Sequence, residues 1–350
     1  MKTLHHLQIL LALAFAALFG SKAIANPVSY QGTEAISKGK HLVFIASDHE
    51  YRGEETLPAL ARILAKHHGI DCTVLFGLDE NGEIKAGESN IPGLEALESA
   101  DGMVIFTRFQ ALPDEQMQHI DAYLNRGGPV MGLRTSTHGF KYDDKESPYA
   151  KYDFRAKTAG YENGFGHQVL GQTWVGHYGR NHKQSTRISI VPEKADHAIL
   201  TGVKDIHVQC GGYNAVLQDD WNILTTAQPL MSMEIDGEPD ATKPPMASEW
   251  TREYTGANGT KGRVFTSLYG ASEDILNDGY RRMLVNASYW ILGLEEQIVA
   301  NSPIGFVGKY QPNTFRGGGY ARGVKPEVYN GFESPIPANN HTGASKKKKQ

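Results

Sequence analysis

Five groups of polar side chains in this sequence have the types and spacing that chemistry needs. The first is Ser47-Asp48-His49-Glu50-Tyr51-Arg52, a polar run leaving an apolar one. Asp48 and His49 pair a carboxyl with an imidazole, suited to acid/base work or to holding sugar hydroxyls, and Tyr51 and Arg52 add further polar contacts. The same run also reads as a helix N-terminus, with Glu54 and Glu55 favourable against the dipole. The second group is Thr107-Arg108, whose guanidinium is a fixed, permanently charged fork for carboxylate, carbonyl or vicinal hydroxyls; a salt bridge to a neighbouring acid is its structural alternative. The third is Gly132-Leu133-Arg134-Thr135-Ser136-Thr137-His138. Arg108 and Arg134 together would stabilise a carbonyl or enediolate oxygen, with Thr135 as a substrate contact. Ser136 has no Gly-x-Ser-x-Gly frame around it and reads poorly as a nucleophile. The fourth is His167, His177 and His182, imidazoles able to bind a divalent metal, with His138 and His177 as proton shuttles or further ligands. Their spacing is no recognised ligand motif, and ordinary loop histidines are the plainer reading. The fifth is Glu249-Trp250-Thr251-Arg252-Glu253 with Tyr269. Trp250, Tyr269 and Tyr178 offer faces for sugar rings, while Arg252 bonds hydroxyls; the alternative is a Trp packed under a loop with exposed charges.

Alternating strands and helices must position these groups. His41–Ala46, Cys72–Phe76, Met103–Thr107 and Pro129–Leu133 are short apolar runs that suit buried parallel strands. Between them, Glu54–His68 has apolar residues at helical spacing and Gly69 as a stop, and Pro113 opens a second helix that ends at Gly127-Gly128. This pattern predicts a parallel sheet with helices on both faces. Ligands in such sheets bind beyond the carboxyl ends of the strands, where the first three groups lie. The stretch 141–187 has no sustained period and reads as a loop-rich insertion. Thr186–Val191, Trp221–Thr225 and Arg263–Leu268 read as strands, Glu249–Glu253 as a polar loop, and Asn277–Leu292 as a closing amphipathic helix. Past Asn301 the chain is rich in Gly, Pro and Tyr and reads as a surface wrap that frays after about Phe332.

The chain has 350 residues, 40% of them hydrophobic, enough for one large core. A net charge of −4 excludes the basic surface that nucleic acid needs; the run Lys346–Lys349 reads as a solvated tail. Residues 1–25 read as a signal peptide, with a mildly basic start, an apolar run over Ile9–Phe19 too short for a span, and a small-x-small site ending at Ala25. A periplasmic or secreted protein follows, with no membrane partner once that segment is removed and 26–39 as a linker. Cys72 and Cys210 show no metal spacing, and whether they pair is not readable from sequence.

The sequence also resembles the ThuA-like (trehalose utilisation) family over about 40–300. The resemblance rests on the exit of the first strand, Asp101-Gly102, the Gly127-Gly128-Pro129 turn into Gly132-Leu133, Asp196-His197-Ala198-Ile199-Leu200, and Gly262-Arg263-Val264-Phe265 with the helix that follows. It implies an α/β three-layer sandwich of the flavodoxin-like, class I glutamine amidotransferase-like type, with a mostly parallel sheet. In those amidotransferases the segment at Gly132 reads Gly-x-Cys-x-Gly; here Arg134 holds the cysteine slot, where ThuA relatives commonly show His. Arg is not a nucleophile, so amidotransferase chemistry is excluded. What the resemblance implies is handling of a small-molecule carbohydrate, a glycoside or keto-sugar, by acid/base chemistry in carbohydrate utilisation. A non-catalytic carbohydrate-binding protein and a metal-dependent hydrolase are the alternatives, and a homo-oligomer is compatible with all three.

Overall fold

The computed structural model describes residues 27–33, 37 and 39–338. The signal peptide with its site at Ala25 and the Lys346–Lys349 tail lie outside the described residues. The strands are β1 (Val28–Tyr30), β2 (His41–Ser47), β3 (Asp71–Phe76), β4 (Gly102–Thr107), β5 (Val130–Leu133), β6 (Thr186–Ile190), β7 (Ile206–Val208), β8 (Asn222–Pro229), β9 (Met246–Thr255) and β10 (Lys261–Ser267). They form one sheet in the order β1-β3-β2-β4-β5-β10-β9-β8-β6-β7. From β3 through β10 the four pairings are parallel. The remaining five pairings are antiparallel.

β2 and β4 bury nearly every residue, as strands covered on both faces must. Alternation along β2 sends Leu42 and Phe44 to one face and Val43 and Ile45 to the other. The first face is covered by α1 (Gly53–His68) and α3 (Asp278–Ile291), through Leu57, Leu60, Leu64, Met283 and Leu284. The second is covered by α2 (Asp114–Asn125), through Met117 and Ile120. The result is a three-layer α/β sandwich. Gly69, at φ 73, ends α1 by returning its N–H to Ala65. Asn277 caps α3 by accepting the N–H of Tyr280. Among the described residues no helix is long and apolar enough to cross a membrane.

Three expectations need correcting. Glu249–Glu253 is no loop but the interior of β9, and Glu249 is buried there because Thr225, Ser248 and Ser267 offer it hydroxyls. The stretch read as a linker contains β1, whose Tyr30 donates to the Tyr329 carbonyl. The extension past Asn301 stays packed beyond Phe332: Ile336 is buried, and Arg62 donates to the Ser334 carbonyl at 2.6 Å and to its hydroxyl. Both cysteine thiols are free and buried.

Candidate active site

The turn after β2 is built on Asp48. Its Oδ2 accepts the backbone N–H groups of Glu50 (3.2 Å) and Tyr51, and its Oδ1 accepts the Thr135 hydroxyl at 3.2 Å. Burial raises its carboxyl to about 6, against the pull of those N–H groups and of Arg108. Asp48 is therefore committed to shaping the turn, and Thr135 to Asp48; neither faces a ligand as expected from sequence. Arg52 turns inward as well. It is fully buried at φ 63, capping α1 with its guanidinium 3.9 and 3.7 Å from Glu54 and Glu55. That leaves His49 and Glu50, both half-buried, at the mouth of the turn.

At the end of β4, Arg108 makes an ion pair with Glu50 and lies 5.0 Å over the ring of Phe109. At the end of β5 the backbone makes a sharp elbow: Leu133 is extended, Arg134 sits at φ 40, and a 3-10 turn runs to His138. This is the strand-to-turn geometry in which a nucleophile would be presented, with a guanidinium in its place. Arg134 is fully enclosed, 3.8 Å from the Tyr51 ring and 4.4 Å from the Tyr213 ring. It donates to the Leu268 carbonyl at 2.9 Å and to Asn181 at 3.4 Å. Its charge thus reaches the cleft through the two tyrosines and not by direct contact. Ser136 donates to the Ile105 carbonyl and receives the Thr107 N–H, so it is a structural hydroxyl.

Arg52, Phe109 and Arg134 are all non-glycine residues in the left-handed region, one in each of the connections that follow three neighbouring parallel strands. Such conformations cost about 1–3 kcal/mol each and persist where the surroundings over-determine them, commonly at functional sites. His138 sits beside the last two of these residues, its ring 5.1 Å from Phe109, 5.3 Å from Trp174 and 5.7 Å from Tyr213. The insertion supplies the facing wall. His177 bridges Tyr213 backbone to backbone, and its ring lies 5.4 Å from Tyr213 and 5.8 Å from Trp174. Burial, reinforced by Arg108 and Arg134, holds His138 well below the ordinary imidazole range. His49 is lowered by burial and then Arg108, and His177 by burial and then Arg134, in both cases against the pull of Glu50. All three are neutral near pH 7, each with one nitrogen able to accept a proton.

Other expected site residues lie elsewhere. Trp250 is fully buried, stacked 3.9 Å from Trp221 at 6°, with its indole N–H on the Leu170 carbonyl. Its face is covered and no sugar can reach it. Arg252 pairs with Asp220 and holds the carbonyls of Gln168 and Val169. Tyr269 is buried behind Gly212. Tyr178 is half-buried and donates to the Pro244 carbonyl. His182 stacks on Phe315 at 4.5 Å, and His167 lies in a separate π-turn. Among the described residues no three His, Cys, Asp or Glu side chains converge as a metal site would need, so the trio His167, His177 and His182 is not brought together. Residues that sequence reading passed over are Phe109, Trp174, Asn181 and Tyr213. Phe109 directly follows Arg108, and that adjacency was a usable signal; Tyr213 is 36 residues from His177 in sequence and gave none. A surface hollow of about 390 Å³ lined by Arg187, Lys204 and His207 lies by β6 and β7, away from this cluster.

No family model matches the chain, and no curated protein matches it. Among solved structures, one described only as a ThuA-like protein, from Bacteroides uniformis ATCC 8492, is similar at 12% identity and a TM-score of 0.45, covering 75% of this chain and 95% of that one. Another so described, from Parabacteroides merdae ATCC 43184, is similar at 13% identity and a TM-score of 0.42, covering 83% and 99%. An exo-β-1,4-mannosidase from Opitutaceae bacterium strain TAV5 is similar at 10% identity and a TM-score of 0.33, covering 72% of this chain and 35% of that one. At these identities and scores this chain is similar to all three in general arrangement, and no residue role passes from one to another.

Proposed function

We propose that this protein is an exported, ThuA-like protein of carbohydrate utilisation that binds a glycoside or keto-sugar between the turn after β2 and the insertion wall, and moves protons on it without a covalent thiol step. The observation that carries this reading is the convergence of two left-handed strand-end residues, Phe109 and Arg134, on neutral imidazoles and the Arg108–Glu50 pair. Phe109 and Trp174, both half-buried, supply faces for a sugar ring, with buried Tyr213 packed behind Trp174. His49, half-buried, and His177, exposed on the insertion wall, are the groups placed to exchange a proton with it, and a neutral imidazole can serve as base on one side and acid on the other. Arg108 is placed to stabilise oxygen charge as it develops. The elbow holds Arg134, so no acyl-enzyme is formed there.

The test is proton NMR of residues 26–350 mixed with trehalose, sucrose, glucosides and their 3-keto forms, with and without a divalent metal. Product signals from one class, slowed about 100-fold or more by His49→Gln or His177→Gln, support the reading. Turnover unchanged in the double variant would sink it. A second reading, a binding protein without turnover, is favoured by the aromatic wall alone; line broadening without product would select it.

A further inference from the structure

We propose that the sugar taken by this cleft carries a carboxylate, so that the substrate class is a sugar acid and not a neutral sugar. The inference rests on the sugar-handling reading above and sharpens it. Arg134 is a fully buried cation that forms no ion pair among the described residues; its contacts are two tyrosine rings, a carbonyl and an amide oxygen, and its Nε is buried without a partner. Buried charges are ordinarily paired, because an uncompensated one keeps most of its desolvation cost. Arg108, at the mouth, gives Nη1 to Glu50, while its Nε is also buried and unpartnered. A carboxylate binds a guanidinium best along two parallel N–H groups, and the edge of Arg108 that includes Nε is the one without a protein acceptor.

The acids near these cations do not cancel them. Glu50 is one carboxylate against two guanidinium groups. Asp48 is buried with both oxygens engaged by the Glu50 and Tyr51 N–H groups and the Thr135 hydroxyl, and it makes no ion pair with either guanidinium. Burial first, and then the neighbouring guanidinium groups, lower His49, His138 and His177. This local field stands against a chain whose net charge is −4, so it is a feature of the cleft and not of the whole surface.

The test is calorimetric titration of the full chain with glucuronate, galacturonate and gluconate, against methyl glucoside and trehalose, at low and high salt. The expected result is tighter binding of the acids by about tenfold or more, with the advantage shrinking as salt rises. Glu50→Gln removes the competing carboxylate and should tighten acid binding several-fold, while Arg108→Gln should erase the preference; melting curves of both variants check that they fold. Equal or better binding of the neutral sugars, or acid binding unchanged in Arg108→Gln, would overturn the sugar-acid assignment and leave the sugar site standing. Binding of neither class would overturn both readings.

Discussion

Asp48 shows how one carboxyl can shape a site without entering it. Its folded form is held near 6 by burial, above the ordinary 3.8. Between those values the folded protein keeps a proton that the unfolded chain has released, so stability falls as pH rises from about 4 to 6, by about 3 kcal/mol in all. Asp48→Asn keeps an oxygen for the Glu50 and Tyr51 N–H groups but cannot titrate. Urea unfolding at pH 4 and 6.5 should show this component of the slope gone; an unchanged slope would mean the proton sits elsewhere. The two tryptophans separate fold from site in the same way. Trp250→Ala should cost about 3–5 kcal/mol, because it opens a cavity against Trp221. Trp174→Ala, at a half-buried position on the cleft wall, should cost much less and weaken sugar binding instead. Equal stability losses would put Trp174 in the core. At this scale the sequence was legible where a polar run leaves an apolar strand, which brought out His49, Arg108, Arg134 and His138. It was misleading for Trp250 and Arg252, since charges beside a Trp suggest a loop. In fact one face of β9 lies against the core and its polar atoms are answered by partners far along the chain.

The elements that hold the site differ in how openly they announce themselves. Helix α3 is readable almost to the residue, because Asn277 is a cap and the apolar period behind it is regular. The extension past Asn301 is the opposite case, since no period marks it and its order comes from what it touches. Asn313 gives both its backbone N–H and its side-chain amide to buried Glu55, each at 2.9 Å. Phe315 packs 5.1 Å from Tyr51 and stacks on His182. Arg316 and Gly318 donate their N–H groups to the carbonyls of Glu50 and His49. The extension therefore grips the turn that carries the proposed acid/base residues from behind. Phe315→Ala should cost about 3–5 kcal/mol by cavity formation, and by loosening Tyr51 over Arg134 it should also weaken sugar binding. A stability loss with binding untouched would mean that the turn stands without this support.

On the scale of the molecule, the cleft is assembled from three parts of the chain that meet only in the finished fold: the ends of the parallel strands, the insertion with Tyr213, and the C-terminal extension. The parallel half was legible because βα alternation is a local signal. The antiparallel half was legible only in β6 and β8; β1 and β7 were missed because they are three residues long, and β9 because it hides a carboxylate among hydroxyls. His68 marks where α1, α3 and the extension are joined. One ring nitrogen meets the Tyr289 hydroxyl at 2.9 Å and the other the Pro303 carbonyl at 2.8 Å. A carbonyl only accepts, so Nε2 carries the hydrogen and Nδ1 accepts from Tyr289. Burial lowers His68 to about 4 from 6.5. Below 6.5 the unfolded chain takes up a proton that the folded one refuses until about 4, so stability falls as pH falls across that window, by about 3 kcal/mol. This slope is opposite in sign to that of Asp48, and the two partly cancel between pH 4 and 6. His68→Gln can still donate to Pro303 and accept from Tyr289, yet does not titrate. Urea midpoints taken at pH 6.5 and 4.5 should therefore fall less on acidification in His68→Gln than in the parent, while Asp48→Asn should fall more. If both variants track the parent, the junction and the turn are not where the fold stores its sensitivity to protons.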